Sequence, residues 1–165
     1  MKSALIALLL AASAFAQKPS GVATPACGPK DASFDVMLHK AQHTLAQPEP
    51  GKALVYFIQE KGAVSRIGVD GAWVGANKNS SYFAVSVEPG ERHVCADVRT
   101  PRGIPGVPAG FLHFTAEAGR VYYFDARVVY AGESYLFLGA IDSDQAKYLV
   151  ASLPLSVSTP STPKK

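Results

Sequence analysis

The sequence predicts a mainly β protein, an antiparallel β-sandwich of about seven to eight strands with one short C-terminal helix. Apolar and alternating runs of strand length follow one another between residues 53 and 141, and turn-forming residues separate them. A single later segment has helical spacing instead. Hydrophobic residues make up 48% of the chain and charged residues 18%, a composition that can build a packed core.

The N-terminal stretch MKSALIALLLAASAFA, residues 1–16, predicts a secretory signal peptide. Lys2 supplies a positive start, residues 4–12 form an unbroken apolar run, and residues 14–16 fit the small-x-small pattern that signal peptidase cleaves. The apolar run is too short to cross a bilayer. We therefore expect an exported protein, periplasmic or secreted, with no membrane span.

Export determines how the two cysteines are interpreted. Because thiols pair in an oxidising compartment, Cys27 and Cys95 are expected to form a disulfide. The alternative is two unpaired buried thiols. A catalytic thiol is not expected, since neither cysteine belongs to a CxxC pair.

Residues 17–50 are predicted to form an extended leader and linker ahead of a β-sandwich domain at residues 51–153. Proline, glycine and small residues dominate residues 17–32, and two prolines and a glycine oppose regular structure in residues 47–52. Between them, residues 33–46 are compatible with a strand followed by a turn of helix.

The strands of the domain are expected to begin with residues 53–60, ALVYFIQE. This run is apolar on both faces, which predicts a central, buried strand. In later runs, alternation directs His113 and Tyr123 away from the core. The other expected strands are residues 65–69, 72–76, 81–87, 92–99, 111–118, 119–130 and 134–141.

A two-residue hairpin is predicted at Asp70-Gly71, because this dipeptide between two strand-like runs is a strong hairpin signal. The expected cross-strand pairs are Val69–Ala72, Gly68–Trp73 and Ile67–Val74. Ile67 and Val74 then face the core and Trp73 lies on the other face. Trp73 either shields the glycine backbone opposite it, offers an exposed aromatic platform to a sugar, peptide or protein, or packs against a second layer.

The C-terminal segment at residues 142–153 predicts a short closing helix, which Asp142 is expected to cap. The apolar residues at helical spacing are Ala146, Leu149, Val150 and Leu153. Residues 154–165 are rich in serine, threonine and proline and predict a disordered tail.

The stretch IGVDGAWVGANKNSSYFAVSVEPGERHVCADV, residues 67–98, resembles the exported bacterial family catalogued as domain of unknown function 2846, and the resemblance spans roughly residues 50–145. Its turn and core pattern is also similar to PEGA-type surface modules, although Arg92 precedes His93 where those modules commonly have histidine directly. The resemblance implies a bacterial envelope protein with a β fold. It implies no catalytic residues.

A metal site has only weak candidates, His39 and His43, which would share one face of a helix at this spacing. A zincin motif would need glutamate where Lys40 stands. His93 and His113 belong to separate expected strands, so no third ligand is evident. Two exposed histidines are the simpler interpretation, and we expect no metal or other cofactor.

Catalytic and nucleic-acid-binding functions are not expected. The sequence contains no GxSxG motif and no glycine-rich phosphate loop, so we predict that the protein is not an enzyme. Its formal net charge of +3 is weak and scattered, whereas a nucleic-acid-binding surface needs a clustered basic face.

The sequence therefore predicts an exported, non-catalytic module of the bacterial cell envelope with a binding or structural role. The expected partner is an envelope protein or a surface glycan. The alternative is a carbohydrate- or small-ligand-binding module that uses exposed aromatic side chains. Trp73 and Tyr123 are the candidate contact residues for both.

Overall fold

The computed structural model describes residues 27–40, 44–98, 108–131 and 133–161. The predicted signal peptide at residues 1–16 and the first part of the leader lie outside the described residues. Within the described part of the chain, no helix is long and apolar enough to cross a membrane.

The fold is mainly β, with two sheets and one short helix near the C-terminus, as predicted. The six-stranded sheet has the order β1-β10-β5-β2-β8-β9, and the four-stranded sheet has the order β4-β3-β6-β7. The elements are β1 Ser33–His39, β2 Ala53–Gln59, β3 Ser65–Val69, β4 Ala72–Asn77, β5 Ser81–Val87, β6 Gly90–Val98, β7 Gly110–Ala116, β8 Val121–Ala131, β9 Glu133–Ala140, α1 Ser143–Ser152 and β10 Leu155–Ser161.

The six-stranded sheet is mixed and not purely antiparallel as expected. Strand β2 pairs with β8 in parallel, and β10 meets β5 in parallel at a single residue pair. A parallel pair needs a long crossover, and here the whole four-stranded sheet lies between β2 and β8 in the chain. This arrangement arises from long-range pairing, which strand alternation does not encode.

The main core lies between the two sheets, and β2 is buried along its whole length, as its two apolar faces predicted. Phe57 lies in this core, with its ring centroid 5.4 Å from that of Phe83 and 6.0 Å from that of Phe124. Ile67 and Ala96 contribute from the four-stranded sheet. Side chains that alternate inward from both sheets therefore form one continuous apolar layer.

A second apolar layer covers the opposite face of the six-stranded sheet. Helix α1 supplies Ala146, Leu149 and Val150, which pack on Tyr56 and Ile58 of β2. The helix confirms the predicted closing segment, and its cap is the predicted one. The Asp142 carboxylate accepts hydrogen bonds from the backbone N–H groups of residues 144 and 145, and these bonds lower the pKa of Asp142.

The predicted hairpin forms at Asp70-Gly71, with φ angles of 49° and 85° at the two loop residues. Positive φ at both positions matches a tight hairpin of the primed class. The expected Val69–Ala72 and Gly68–Trp73 pairs are present, but a bulge then places Gly75, not Val74, opposite Ile67. Val74 still packs against the main core. The bulge brings Gly75 against Phe83, where an added Cβ would lie 2.7 Å from the ring.

The predicted disordered tail is wrong for residues 155–161, which form β10. The strand expected within residues 33–46 is present as β1, but the leader prediction left it outside the sandwich, whereas it pairs with β10 over seven residues, from Ser33–Ser161 to His39–Leu155. The folded part of the chain therefore extends beyond residues 51–153 at both ends. Residues 162–165 lie outside the described residues.

Serine side chains explain why this polar tail folds. The Ser156 hydroxyl donates to the Ala76 carbonyl at 2.6 Å, and the Ser158 hydroxyl accepts from the Ala76 N–H at 3.1 Å. Ala76 belongs to β4, the edge strand of the four-stranded sheet. Two hydroxyls thus cover the backbone of an edge that would otherwise be open to another strand, and they join the two sheets.

Replacing Ser156 with alanine should lower the free energy of unfolding by about 1–3 kcal/mol, because the buried Ala76 carbonyl then loses its partner. Denaturant unfolding followed by circular dichroism measures the change. Thr159→Ala is the control on the same strand, and its exposed side chain predicts a change within about 0.5 kcal/mol. Equal stability of the two variants would contradict the proposed role of β10.

Candidate functional site

The four-stranded sheet has a face directed away from the core, called here the outer face. Ile67 and Val69 of β3, and Val94 and Ala96 of β6, point into the core, so their chain neighbours point outward. Cross-strand pairing extends this face to β4 and β7. The outer face carries Arg66, Trp73, Glu91, His93, Cys95, Asp97, Phe111 and His113.

The N-terminal strap, residues 27–32, packs on one end of the outer face, and Trp73 holds it. The indole N–H of Trp73 donates to the Pro29 carbonyl at 2.7 Å. Gly28 lies directly against the indole, where an added Cβ would be 2.5 Å from Cδ1. Only glycine permits this approach, so the strap and Trp73 fit each other closely.

Arg66 makes a second attachment of the strap. Its guanidinium lies 4.3 Å from the Trp73 ring centroid and donates to the carbonyls of Lys30 and Ala32. The same guanidinium forms an ion pair with Asp97 on β6. Arg66 is 4% exposed, and these charge-assisted bonds offset the cost of burying its charge.

The predicted disulfide between Cys27 and Cys95 is present and makes the third attachment. Cys95 is fully buried on β6, with Phe111 opposite it on β7. The covalent bond fixes the start of the strap at the middle of the outer face. Trp73 is therefore half-buried against the protein's own chain, and it also lies opposite Gly68 in the β3–β4 ladder.

A cleft of about 360 Å³ adjoins these attachments. Its lining combines an aromatic wall, charged groups of both signs and the disulfide; the residues are Cys27, Gly28, Lys30, Arg66, Trp73, Asp97 and Ala109. A volume of this size falls in the range of small-molecule sites. The cleft lies between the strap and the outer face, beside Trp73.

A second, smaller pocket of about 170 Å³ lies further along the outer face, lined by His93, Val94, Phe111, Leu112 and His113. Phe111, on the edge strand β7, is 66% exposed. His93 and His113 are direct cross-strand neighbours, and their ring centroids are 6.3 Å apart. This end of the outer face thus presents three exposed rings together.

Tyr123, the second candidate contact residue, lies on the opposite side of the sandwich from Trp73. It is half-buried beside α1 and stacks on Tyr56 with ring centroids 5.3 Å apart. Burial raises the pKa of Tyr123. The structure does not bring Trp73 and Tyr123 together, so they form no joint aromatic platform.

Of the two histidines predicted as weak metal candidates, only His39 is among the described residues. His39 is the last residue of a strand, β1, and His43 lies outside the described residues. As placed in the described ranges, no group of three or more His, Cys, Asp or Glu side chains could hold a metal ion.

Asp125 is a buried carboxylate with a shifted pKa, and a perturbed pKa can mark a functional group. Burial raises the pKa of Asp125, while the Arg127 guanidinium 2.9 Å away opposes that rise. Arg127 in turn lies 5.0 Å from the Phe137 ring centroid. These contacts describe an ion pair held against an aromatic ring on the six-stranded sheet, away from the outer face.

Phe111 and the His93–His113 pair are the outer-face residues that the sequence did not single out as a group. Alternation already directed His113 outward and placed Val94 inward, which directs His93 outward as well. What local alternation does not give is the register of β6 against β7. Treating residues 90–116 as a hairpin with a long connection at residues 99–109 would have placed His93 beside His113.

Trp73→Phe should lower the free energy of unfolding by about 0.5–1.5 kcal/mol, because the ring remains but its hydrogen bond to Pro29 is lost. Denaturant unfolding followed by circular dichroism measures this, with wild-type protein as reference. An unchanged free energy of unfolding would mean that Trp73 does not anchor the strap, and the exposed-platform hypothesis would regain support.

Comparisons of the chain with protein-family models, with curated proteins and with solved structures find no match. The resemblance to the exported family of unknown function therefore stays a prediction.

Proposed function

We propose that this protein is an exported, non-catalytic module of the bacterial cell envelope that binds another envelope protein through its outer face. The observation that carries the proposal is Phe111, which is 66% exposed next to the disulfide and the smaller pocket. Exposed aromatic side chains beside a shallow pocket are typical anchors of protein interfaces.

The grouping of three exposed rings on one sheet supports this choice of surface. Helix α1 buries Ala146, Leu149 and Val150 on the six-stranded sheet, while Met37, Tyr135, Tyr148 and Val157 stay exposed as single side chains on that sheet and on the helix. On the four-stranded sheet, the strap occupies the end near Trp73, while Phe111, His93 and His113 stay exposed. Because the rings stand on a rigid sheet, binding through them would lose little conformational entropy.

Export is proposed from the signal-peptide pattern of residues 1–16, and the Cys27–Cys95 disulfide is compatible with it. The non-catalytic role is proposed from the absence of a catalytic motif in the sequence. Fractionation of a bacterium that expresses the full chain tests export. The expected result is an envelope or medium fraction whose protein has lost residues 1–16 and has no free thiol.

The binding proposal is tested by affinity capture from envelope extract with two matched variants, Phe111→Glu and Tyr148→Glu. Both side chains are exposed, at 66% and 73%, but Tyr148 lies on α1 at the other side of the sandwich. We expect a partner that wild type and Tyr148→Glu retain and Phe111→Glu loses. Equal capture by the two variants would contradict the outer face as the binding surface.

The alternative function, binding of a carbohydrate or small ligand, is favoured by one observation, the cleft of about 360 Å³ beside Trp73. The indole N–H and part of the ring already contact the strap, so Trp73 would form a wall of the cleft and not an open platform. Because Trp73 is the single tryptophan, its fluorescence reports occupancy directly. A saturable change on adding envelope glycan fragments would favour this alternative over a protein partner.

A further inference from the structure

We propose that His93 and His113, with Glu91 as a third donor, form a binding site for a divalent copper ion on the outer face. The proposal does not depend on the identity of any protein partner. It rests on the pairing type of the two histidines, on the position of the nearby carboxylate and on the pocket between the rings.

The backbone hydrogen bonds decide how close the two histidines are. The His93 carbonyl accepts from the Asp70 N–H at 2.9 Å, so the polar groups of His93 face β3 and not β7. His93 and His113 are therefore a non-hydrogen-bonded pair of the β6–β7 ladder, the type in which Cα atoms are closest, at about 4.5 Å. Side chains of such a pair project side by side from the same face.

Glu91 adds a carboxylate at a distance from His93 that suits two ligands of one ion. It lies two residues before His93 on β6 and so shares its face, and its Oε1 is 3.8 Å from His93 Nε2. Two donors that share one ion each lie about 2.1 Å from it, which separates them by about 3–4 Å. An ion between Glu91 and His93 thus needs little movement of either side chain.

The surroundings hold the backbone while leaving the imidazoles free to turn. The Asp70 carboxylate accepts from the His93 N–H at 2.9 Å and also pairs with Arg92, which fixes this part of β6 to the hairpin. The His93 side chain is 52% exposed, and His113 is exposed as well. The three donors do not yet converge in the structure, so binding requires rotation of exposed rings and no change of the sheet.

Two imidazoles and one carboxylate are a donor set that suits copper. Imidazole binds Cu²⁺, Ni²⁺ and Zn²⁺, and the usual order of affinities gives Cu²⁺ the tightest binding among them. The pocket of about 170 Å³ beside Phe111 is lined by both histidines, so it leaves room beside them for water or a side chain of a bound partner.

The test is titration of the purified exported protein with Cu²⁺ alone, followed by calorimetry and by electron paramagnetic resonance. We expect one high-affinity equivalent with nitrogen ligands. His93→Ala and His113→Ala, which each remove a ligand, should each reduce the affinity by more than the roughly 10- to 100-fold that loss of an outer-shell partner causes, and Glu91→Gln, which keeps a neutral oxygen donor, should also reduce it but by less than either. The double variant His39→Ala with His43→Ala should bind as wild type does.

The control variants keep the result interpretable. Both outer-face histidines are exposed, so the single variants should unfold at the wild-type midpoint without metal. The proposal is overturned if wild type shows no saturable binding, if either single variant binds as tightly as wild type, or if the His39 and His43 double variant loses the site. Fewer nitrogen ligands in the spectrum of each single variant would support a direct role of both imidazoles.

Discussion

Loss of the disulfide, in the double variant Cys27→Ala with Cys95→Ala, is expected to lower the free energy of unfolding by about 4 kcal/mol. The bond closes a loop between residues 68 apart in the chain, so the oxidised unfolded chain has much less freedom than the reduced one. Denaturant unfolding of the double variant and of oxidised wild type measures the difference.

The same variant tests how the strap is held, because Trp73 and Arg66 remain as attachments. If all three attachments act together, quenching of Trp73 fluorescence by acrylamide should increase in the double variant under native conditions. A loss of less than about 1 kcal/mol, with unchanged quenching, would mean that the strap is fixed without the covalent bond and would contradict the chain-entropy account.

Phe57→Ala is expected to lower the free energy of unfolding by about 3–5 kcal/mol. Phe57 is fully buried on β2 and contacts the rings of Phe83 and Phe124, so its truncation leaves a cavity between the sheets. Thermal and denaturant unfolding both measure the effect. A mesophilic domain with 5–15 kcal/mol of total stability would lose a large part of it.

Phe111→Ala is the matched control for Phe57→Ala. It removes the same side chain from a strand, but from a position that is 66% exposed, so a change within about 0.5 kcal/mol is expected. If the two variants were destabilised equally, Phe111 would belong to a packed layer, and its assignment to an exposed binding surface would be wrong.

Most of the fold followed from local patterns, because burial between two sheets imposes an alternation that the sequence carries. The runs of β2 and β8, the turn at Asp70-Gly71 and the Asp142 cap are all of this kind. The parallel pairing of β2 with β8 was not predictable in this way. It joins segments more than sixty residues apart, and alternation along each strand is the same whichever partner it has.

The missed strand β10, with which β1 pairs, shows a different limit. The serine, threonine and proline content of residues 154–165 is typical of disordered tails. Here the Ser156 and Ser158 hydroxyls bind the backbone of Ala76, so polar residues contribute to folding through a partner about 80 residues away in the chain. Composition cannot reveal such a partner.

The candidate site was predictable only in part. The disulfide followed from the predicted export and the number of cysteines, and the outward direction of Trp73 followed from the hairpin register. The strap that covers Trp73 comes from a segment 44 residues earlier, and nothing near Trp73 in the sequence indicates it. An open platform at Trp73 was a reasonable interpretation of the local pattern, but the contacts between Trp73 and the strap do not support it.

The most direct test of the central proposal is site-specific photo-crosslinking in intact cells that export the protein. A photoreactive amino acid replaces Phe111 on the outer face in one experiment and Tyr148 on α1 in the other, two positions of similar exposure on opposite sides of the sandwich. We predict a discrete crosslinked envelope protein at position 111 and none at position 148. The same product at both positions, or a product at position 148 alone, would contradict binding through the outer face.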